Sequence, residues 1–174
     1  MSRSRIWMRM CLHRQDVEEA PGCRTVSQDD VAALGSLMLE AYRGTVDYEG
    51  EDLRDAQEEV RGTFGGKYGP FLPDCSFLIE TEGQPQAACL ITWSERLKSP
   101  LLTYSITHPN AQNRGLGAFL ICQSINALVS RGHRNLYLVV TEGNAPAQHL
   151  YEKLGFRVLG NQPGVMAGSE GEGR

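Results

Sequence analysis

Tyr104-Ser-Ile-Thr-His-Pro-Asn-Ala-Gln-Asn-Arg-Gly-Leu-Gly-Ala118 runs from a β-type segment through a glycine turn into a helical pattern. Upstream, Leu102, Tyr104 and Ile106 fall on one face of a strand, and Thr103, Ser105 and Thr107 on the other. Downstream, Leu116, Phe119, Leu120, Ile125 and Leu128 follow helical spacing to a stop at Gly132. Between them, Gln112-Asn-Arg-Gly-Leu-Gly117 fits the pattern Gln/Arg-x-x-Gly-x-Gly/Ala. Such a turn is an anion cradle. Its glycines let the main chain approach a phosphate closely. The N–H groups of the following helical turn point at the anion, and the helix dipole favours negative charge there. Arg114 and the Gln112 amide can add donors. The third glycine of a dinucleotide fingerprint is absent, and no Gly-Lys-Ser/Thr follows to make a Walker loop.

A second stretch stands downstream. Leu136-Tyr-Leu-Val-Val-Thr141 reads as a strand, and Asn144-Ala-Pro-Ala-Gln-His-Leu-Tyr-Glu-Lys-Leu-Gly-Phe156 as a short helix. Asn144 can cap it, Pro146 suits its first turn, and Gly155 ends it. Ala147, Leu150, Tyr151 and Leu154 form its apolar face. Together the two stretches resemble the GNAT superfamily of N-acetyltransferases. The first motif reads Ile106-Thr-His-Pro109, Gln112, Gly115 and Gly117; the second reads Asn144, Ala147, Tyr151 and Gly155-Phe156. The resemblance covers roughly 75–159 and implies an α/β (α+β) fold: a mixed, mostly antiparallel central sheet flanked by helices and splayed at the cofactor site.

The resemblance also implies acetyl-CoA as co-substrate and no metal. Gln112, Asn113, Arg114, Gly115, Leu116 and Gly117 would hold its pyrophosphate. Pantetheine would enter the splayed gap and pair with backbone near Ile106, Thr107 and His108. An N–H near Ile106 would polarise the thioester carbonyl. Asn144 and Ala147 would line the cofactor exit. Tyr151 is the expected general acid, because a phenol is a reasonable donor to a leaving thiolate. Glu142 is the expected base, with Glu80, Glu40 or a water chain as alternatives. Cys122 lies in an apolar helix and reads as a buried thiol rather than a nucleophile.

The rest of the chain reads less sharply. Ile6 to His13 suggests a first strand, weakened by Arg9 and its methionines. Ser27-Gln-Asp-Asp30 resembles a capping box before a helix carrying Val31, Leu34, Leu37, Met38 and Tyr42. Leu53, Ala56, Val60 and Phe64 are spaced for a second helix. Residues 75–82 and 86–93 read as strands around a turn at Gly83-Gln84. The expected order is β-α-α-β-β-β-α-β-α-β. A single domain over 1–159 and a flexible glycine-rich tail over 160–174 are expected. Family members often carry a further strand beyond Gly-Phe. That segment is glycine-rich here, so a second subunit or the N-terminal strand is expected to cover the sheet edge.

At 174 residues and a net charge of −4, the chain has no electrostatic footprint for nucleic acid. No apolar run approaches a membrane span. Five cysteines without close pairs suggest reduced thiols and a cytoplasmic location. Between Glu40 and Glu59 stand eight acids against two bases. This acidic stretch would attract a cationic amine acceptor, from a small molecule or a protein. The competing reading is a catalytically idle acyl-CoA sensor or interaction module on the same scaffold.

Overall fold

The computed structural model describes residues 3–160. Its strands are β1 (Arg5–Cys11), β2 (Cys23–Thr25), β3 (Phe77–Thr81), β4 (Gln84–Ser94), β5 (Ser99–Thr107), β6 (Asn135–Thr141) and β7 (Arg157–Gly160). Its α-helices are α1 (Val31–Tyr42), α2 (Leu53–Phe64), α3 (Leu116–Ser130) and α4 (Ala145–Leu154). The strands form a 7-stranded sheet in the order β2-β3-β4-β5-β6-β1-β7. Neighbouring strands run antiparallel except β5 and β6.

Each face of the sheet carries two helices. Val31, Leu34, Leu37 and Met38 of α1 and Val60 and Phe64 of α2 pack on Leu78, Ala88, Leu90 and Ile106. On the other face, Leu120, Ile121, Ile125 and Leu128 of α3 are fully buried against Ala87, Cys89 and Ile91 of β4. β4 is therefore covered on both sides, which explains its nearly unbroken apolar run. Burying each such side chain contributes roughly 1.5–3 kcal/mol. Helix α2 starts on a capping box between Asp52 and Asp55, which sequence reading did not single out. It packs tightly on α1 at Gly35, where a Cβ would lie 2.5 Å from Gln57 Cγ.

Two departures from the sequence expectations matter. First, β2 was not anticipated. It is three residues long and is held by Arg24, which donates to Asp30 and Glu80. The Arg24 guanidinium holds the Asp30 carboxyl below the usual carboxylate range. Second, the even alternation expected across 102–107 fails. Leu90 pairs with Tyr104 but Ile91 pairs with Leu102, so Thr103 is an extra residue on β5. Leu102 then faces α3, while Tyr104 and Ile106 face α1 and α2. The turn between β3 and β4 also sits one residue early, at Glu82-Gly83, both at positive φ.

The N-terminal strand β1, one of the two covers expected for the sheet edge, lies inside the sheet. It sits between β6 and β7, with Arg5 opposite Thr141 and Cys11 opposite Asn135. Its methionines, which weaken the strand pattern in sequence, are core residues: Met8 is 0% and Met10 2% exposed. The N-terminal strand thus takes the place beside β6 that the expected further strand would have filled. The tail and its Val165-Met166 stub lie outside the described residues. Among the described residues no helix is long and apolar enough to cross a membrane.

Candidate active site

The parallel neighbours β5 and β6 pair only at Leu101↔Tyr137 and Leu102↔Leu138. Beyond Leu102 they part, at the point where Thr103 bulges from β5. This is the splayed seam. His108 N–H donates to Gln86 O at 2.8 Å, which fixes the phase of the β4–β5 ladder. The alternation of an antiparallel ladder then turns the polar groups of Tyr104 and Ile106 to β4. Those of Ser105 and Thr107 face the seam. The main-chain groups near Ile106 that can meet a ligand are therefore its two neighbours' rather than its own.

At the seam's outer end lies the glycine turn. Asn113 has φ 63 and Gly115 φ 75, both in the left-handed region. A β-branched residue at 115 would be strained there. Among the described residues, no main-chain N–H from 112 to 118 has a hydrogen-bond partner, and the first used donor is Phe119 N–H, to Gly115 O at 3.0 Å. The cradle's amides are thus left for an anion. Arg114 donates to Asn110 O, closing the approach, and Asn110 N–H donates to His108 Nδ1.

At the inner end, Tyr151 packs edge-on against Phe156, with ring centroids 5.8 Å apart. Burial, with Cys89 and Asp47 nearby, pushes its phenol up to about 12 despite a hydrogen bond with Ser105. It is protonated at neutral pH, as a proton donor must be. Asn144 caps α4, accepting from Ala147 N–H at 3.3 Å. Its Nδ2 also donates to Asp47 at 3.4 Å, and Thr141 Oγ1 lies 2.6 Å from the other Asp47 oxygen. Asp47 thereby fastens the loop between α1 and α2 to the end of β6 and the start of α4.

A cavity of about 910 Å³ opens between these elements. Ser105, Thr141, Asn144, Ala147 and Tyr151 line it, as do Asp47, Glu49, Glu51, Asp55 and Glu59. All five of those acids belong to the acidic 40–59 stretch. Glu59 accepts from Tyr104 at 2.6 Å, from Lys67 at 2.6 Å, and from Tyr68. Burial pushes its carboxyl up, but these donors outweigh burial and hold it below the usual range. Neither Asp47 nor Glu59 stood out in the sequence, because their partners are distant along the chain. The only available signal was the acidic run itself.

Other anticipated residues fall elsewhere. Glu142 is exposed at the end of β6 and does not line the cavity. Glu80 is paired with Arg24 and Glu40 with Arg43, and neither lines the cavity. Cys122 is half-buried on α3, where burial raises its thiol. Among the described residues, no group of three or more His, Cys, Asp or Glu side chains could hold a metal ion.

Comparison with known proteins gives the same picture. The family described as FR47-like protein matches residues 82–163, the span that carries the seam, the cradle and α4. A streptothricin acetyltransferase from Streptomyces lavendulae is 31% identical over 81 residues, 47% of this chain and 41% of the relative. A mycothiol acetyltransferase from Gordonia bronchialis is 27% identical over 121 residues, 68% of this chain and 39% of the relative. The chain thus spans about two fifths of the length of these curated relatives. A GCN5-related N-acetyltransferase structure from Sphaerobacter thermophilus superposes with a TM-score of 0.65 at 18% identity, covering 91% of this chain and 49% of that one. Residues 82–163 are thus similar to the FR47-like family, and the sheet order and open seam match the fold of the GCN5-related N-acetyltransferase structure.

Proposed function

We propose that the protein moves the acetyl group of acetyl-CoA onto a primary amine of a cationic acceptor. The observation that carries this reading is the row of unpartnered main-chain N–H groups at 112–118, set at the mouth of the open β5–β6 seam. These donors, with the α3 N-terminus, suit a diphosphate. The resemblance contributes the identity of the carrier, whose thioester supplies an activated acetyl group when bound.

The chain's own residues supply the rest. One seam-facing N–H, of Ser105 or Thr107, would hold the carbonyl oxygen and stabilise charge developing there. The Tyr151 hydroxyl donates its proton to the departing sulfur. The acceptor enters from the acidic side as an ammonium and must lose a proton to become a nucleophile. Asp47 takes that proton in our reading, directly or through a water. It lines the cavity, and its charge is felt by the Tyr151 hydroxyl. Glu142, the base expected from sequence, lies outside the cavity lining.

Isothermal titration with CoA, followed by a thiol-release assay against a panel of amines, tests the proposal. Tight CoA binding with turnover on polyamines or lysine-like amines is the expected result. CoA binding with no turnover on any amine would leave the idle-module reading in its place. No CoA binding at all would overturn both.

A further inference from the structure

The cavity also carries basic groups. Arg3, just before β1, and Arg5 and Trp7 of β1 line it as well. Arg5 stands opposite Thr141, and Trp7 opposite Val139, so this row continues the cavity wall made by β6. Neither Arg3 nor Arg5 makes a salt bridge or a side-chain hydrogen bond among the described residues, although five carboxylates line the same cavity. The acids, in contrast, are mostly engaged. Asp47 is held by Thr141 and Asn144, Glu51 accepts from Glu49 N–H, Asp55 accepts from Asp52 N–H, and Glu59 is held by Lys67 and two tyrosines. Two unpaired guanidiniums therefore share one open space with a fixed negative wall, without collapsing onto it. Guanidiniums and carboxylates that line one cavity without pairing with each other suit an occupant that is itself dipolar.

We infer that the acceptor carries an anionic group as well as its amine, a carboxylate being the simplest case. Its ammonium end lies toward Asp47 and Tyr151, and its anionic end lies on Arg5 and Arg3. Arginine suits this task, since its planar fork meets a carboxylate in two parallel hydrogen bonds. Trp7 adds an apolar wall beside them. This inference rests on the acyl-transfer reading for the identity of the reacting amine. The pairing of an anion with β1 stands on the cavity alone.

The test compares matched amines that differ only at the far end: lysine, lysine amide and cadaverine, with a phosphate-bearing amine, phosphoethanolamine, as the other anionic form. In the native protein, kcat/KM for lysine should exceed that for lysine amide by about tenfold, reflecting two partly exposed charge contacts. In Arg3→Ala/Arg5→Ala, that ratio should fall toward one. Arg5→Lys should retain part of the preference. A preference for phosphoethanolamine that is lost in the same variant would assign the anionic end to phosphate and still support the inference. Equal use of lysine and its amide, with no preference for phosphoethanolamine, would overturn it. So would an anion preference that survives in the double variant. If no amine turns over, thermal shift of the CoA-loaded protein with the same ligands reads the same preference. A shift selective for the anionic amines and lost in the double variant would then support the anion site while removing the acyl-transfer reading. No selectivity would overturn the inference.

Discussion

The two sides of the seam are built on different principles. On the proposed cofactor side, β5, the 112–117 turn and α3 are consecutive in the chain, and the groups on offer are main-chain amides. On the acceptor side, the cavity wall is drawn from β1, the α1–α2 loop, α2, Tyr68 and Tyr104, and every working group is a side chain. Main-chain donors can be kept while sequence varies, provided the turn keeps its shape. Side-chain walls change with each substitution. In the proposed reading, the contrast separates what would grip the co-substrate from what would select the acceptor.

The largest expected effect sits where the two sides meet. Tyr151→Phe should lower kcat by about 100-fold while CoA affinity stays within about twofold, measured by thiol release and calorimetry. Equal turnover in the variant would remove the hydroxyl from proton transfer. Because burial keeps this phenol near 12, kcat should show no falling limb from Tyr151 ionisation as pH is raised from 7 to 9.

Next comes a test of the cofactor side alone. Gly115→Val forces a β-branched residue to φ 75, at a cost of about 1–2 kcal/mol. CoA affinity should fall by about tenfold, with the ratio of rates between different amines unchanged. A change in amine preference would break the division between the two sides.

The converse variant addresses the acceptor side. Glu49→Lys with Glu51→Lys should raise the acceptor KM about fivefold at low salt and less at high salt, leaving CoA affinity as it was. An unchanged KM would mean that the acidic wall does not attract the amine.

The smallest effect concerns stability. Glu59 has its carboxyl held below the usual range, so its folded form binds fewer protons than its unfolded form. Its stabilisation is present at neutral pH and is lost as pH falls through the acidic range below its ordinary value. The ion pair is half-exposed and screened, so it contributes less than about 1 kcal/mol. Melting temperatures of the native protein and Glu59→Gln should differ at pH 7 and converge toward pH 3.

What the sequence revealed follows the same line. Glycines at 115 and 117, Asn144, Tyr151 and Gly155 report local geometry, and local geometry has a short-range signature. The α3 and α4 helices and the strands before them were legible for that reason. The bulge at Thr103 was not, because it is a property of how β5 meets β4 rather than of β5 itself. Asp47 was one acid among eight until Thr141 and Asn144 came within reach of it. Glu59 likewise gained its distinction from Tyr104, 45 residues away. The place of β1 beside β6 has no such signature, since a strand pattern states that a segment will pair without stating with what.

That position has a kinetic consequence. Arg5 meets Thr141 and Cys11 meets Asn135, so the sheet is completed by joining segments from opposite ends of the described chain. Closing so long a loop is entropically demanding, and contacts of such separation slow folding. A ribosome-bound chain halted before residue 135 would offer β1 no native neighbour, leaving Met8 and Met10 without their β6 partners until the later strands arrived. The strand that lines the acceptor cavity would then be among the last elements to settle.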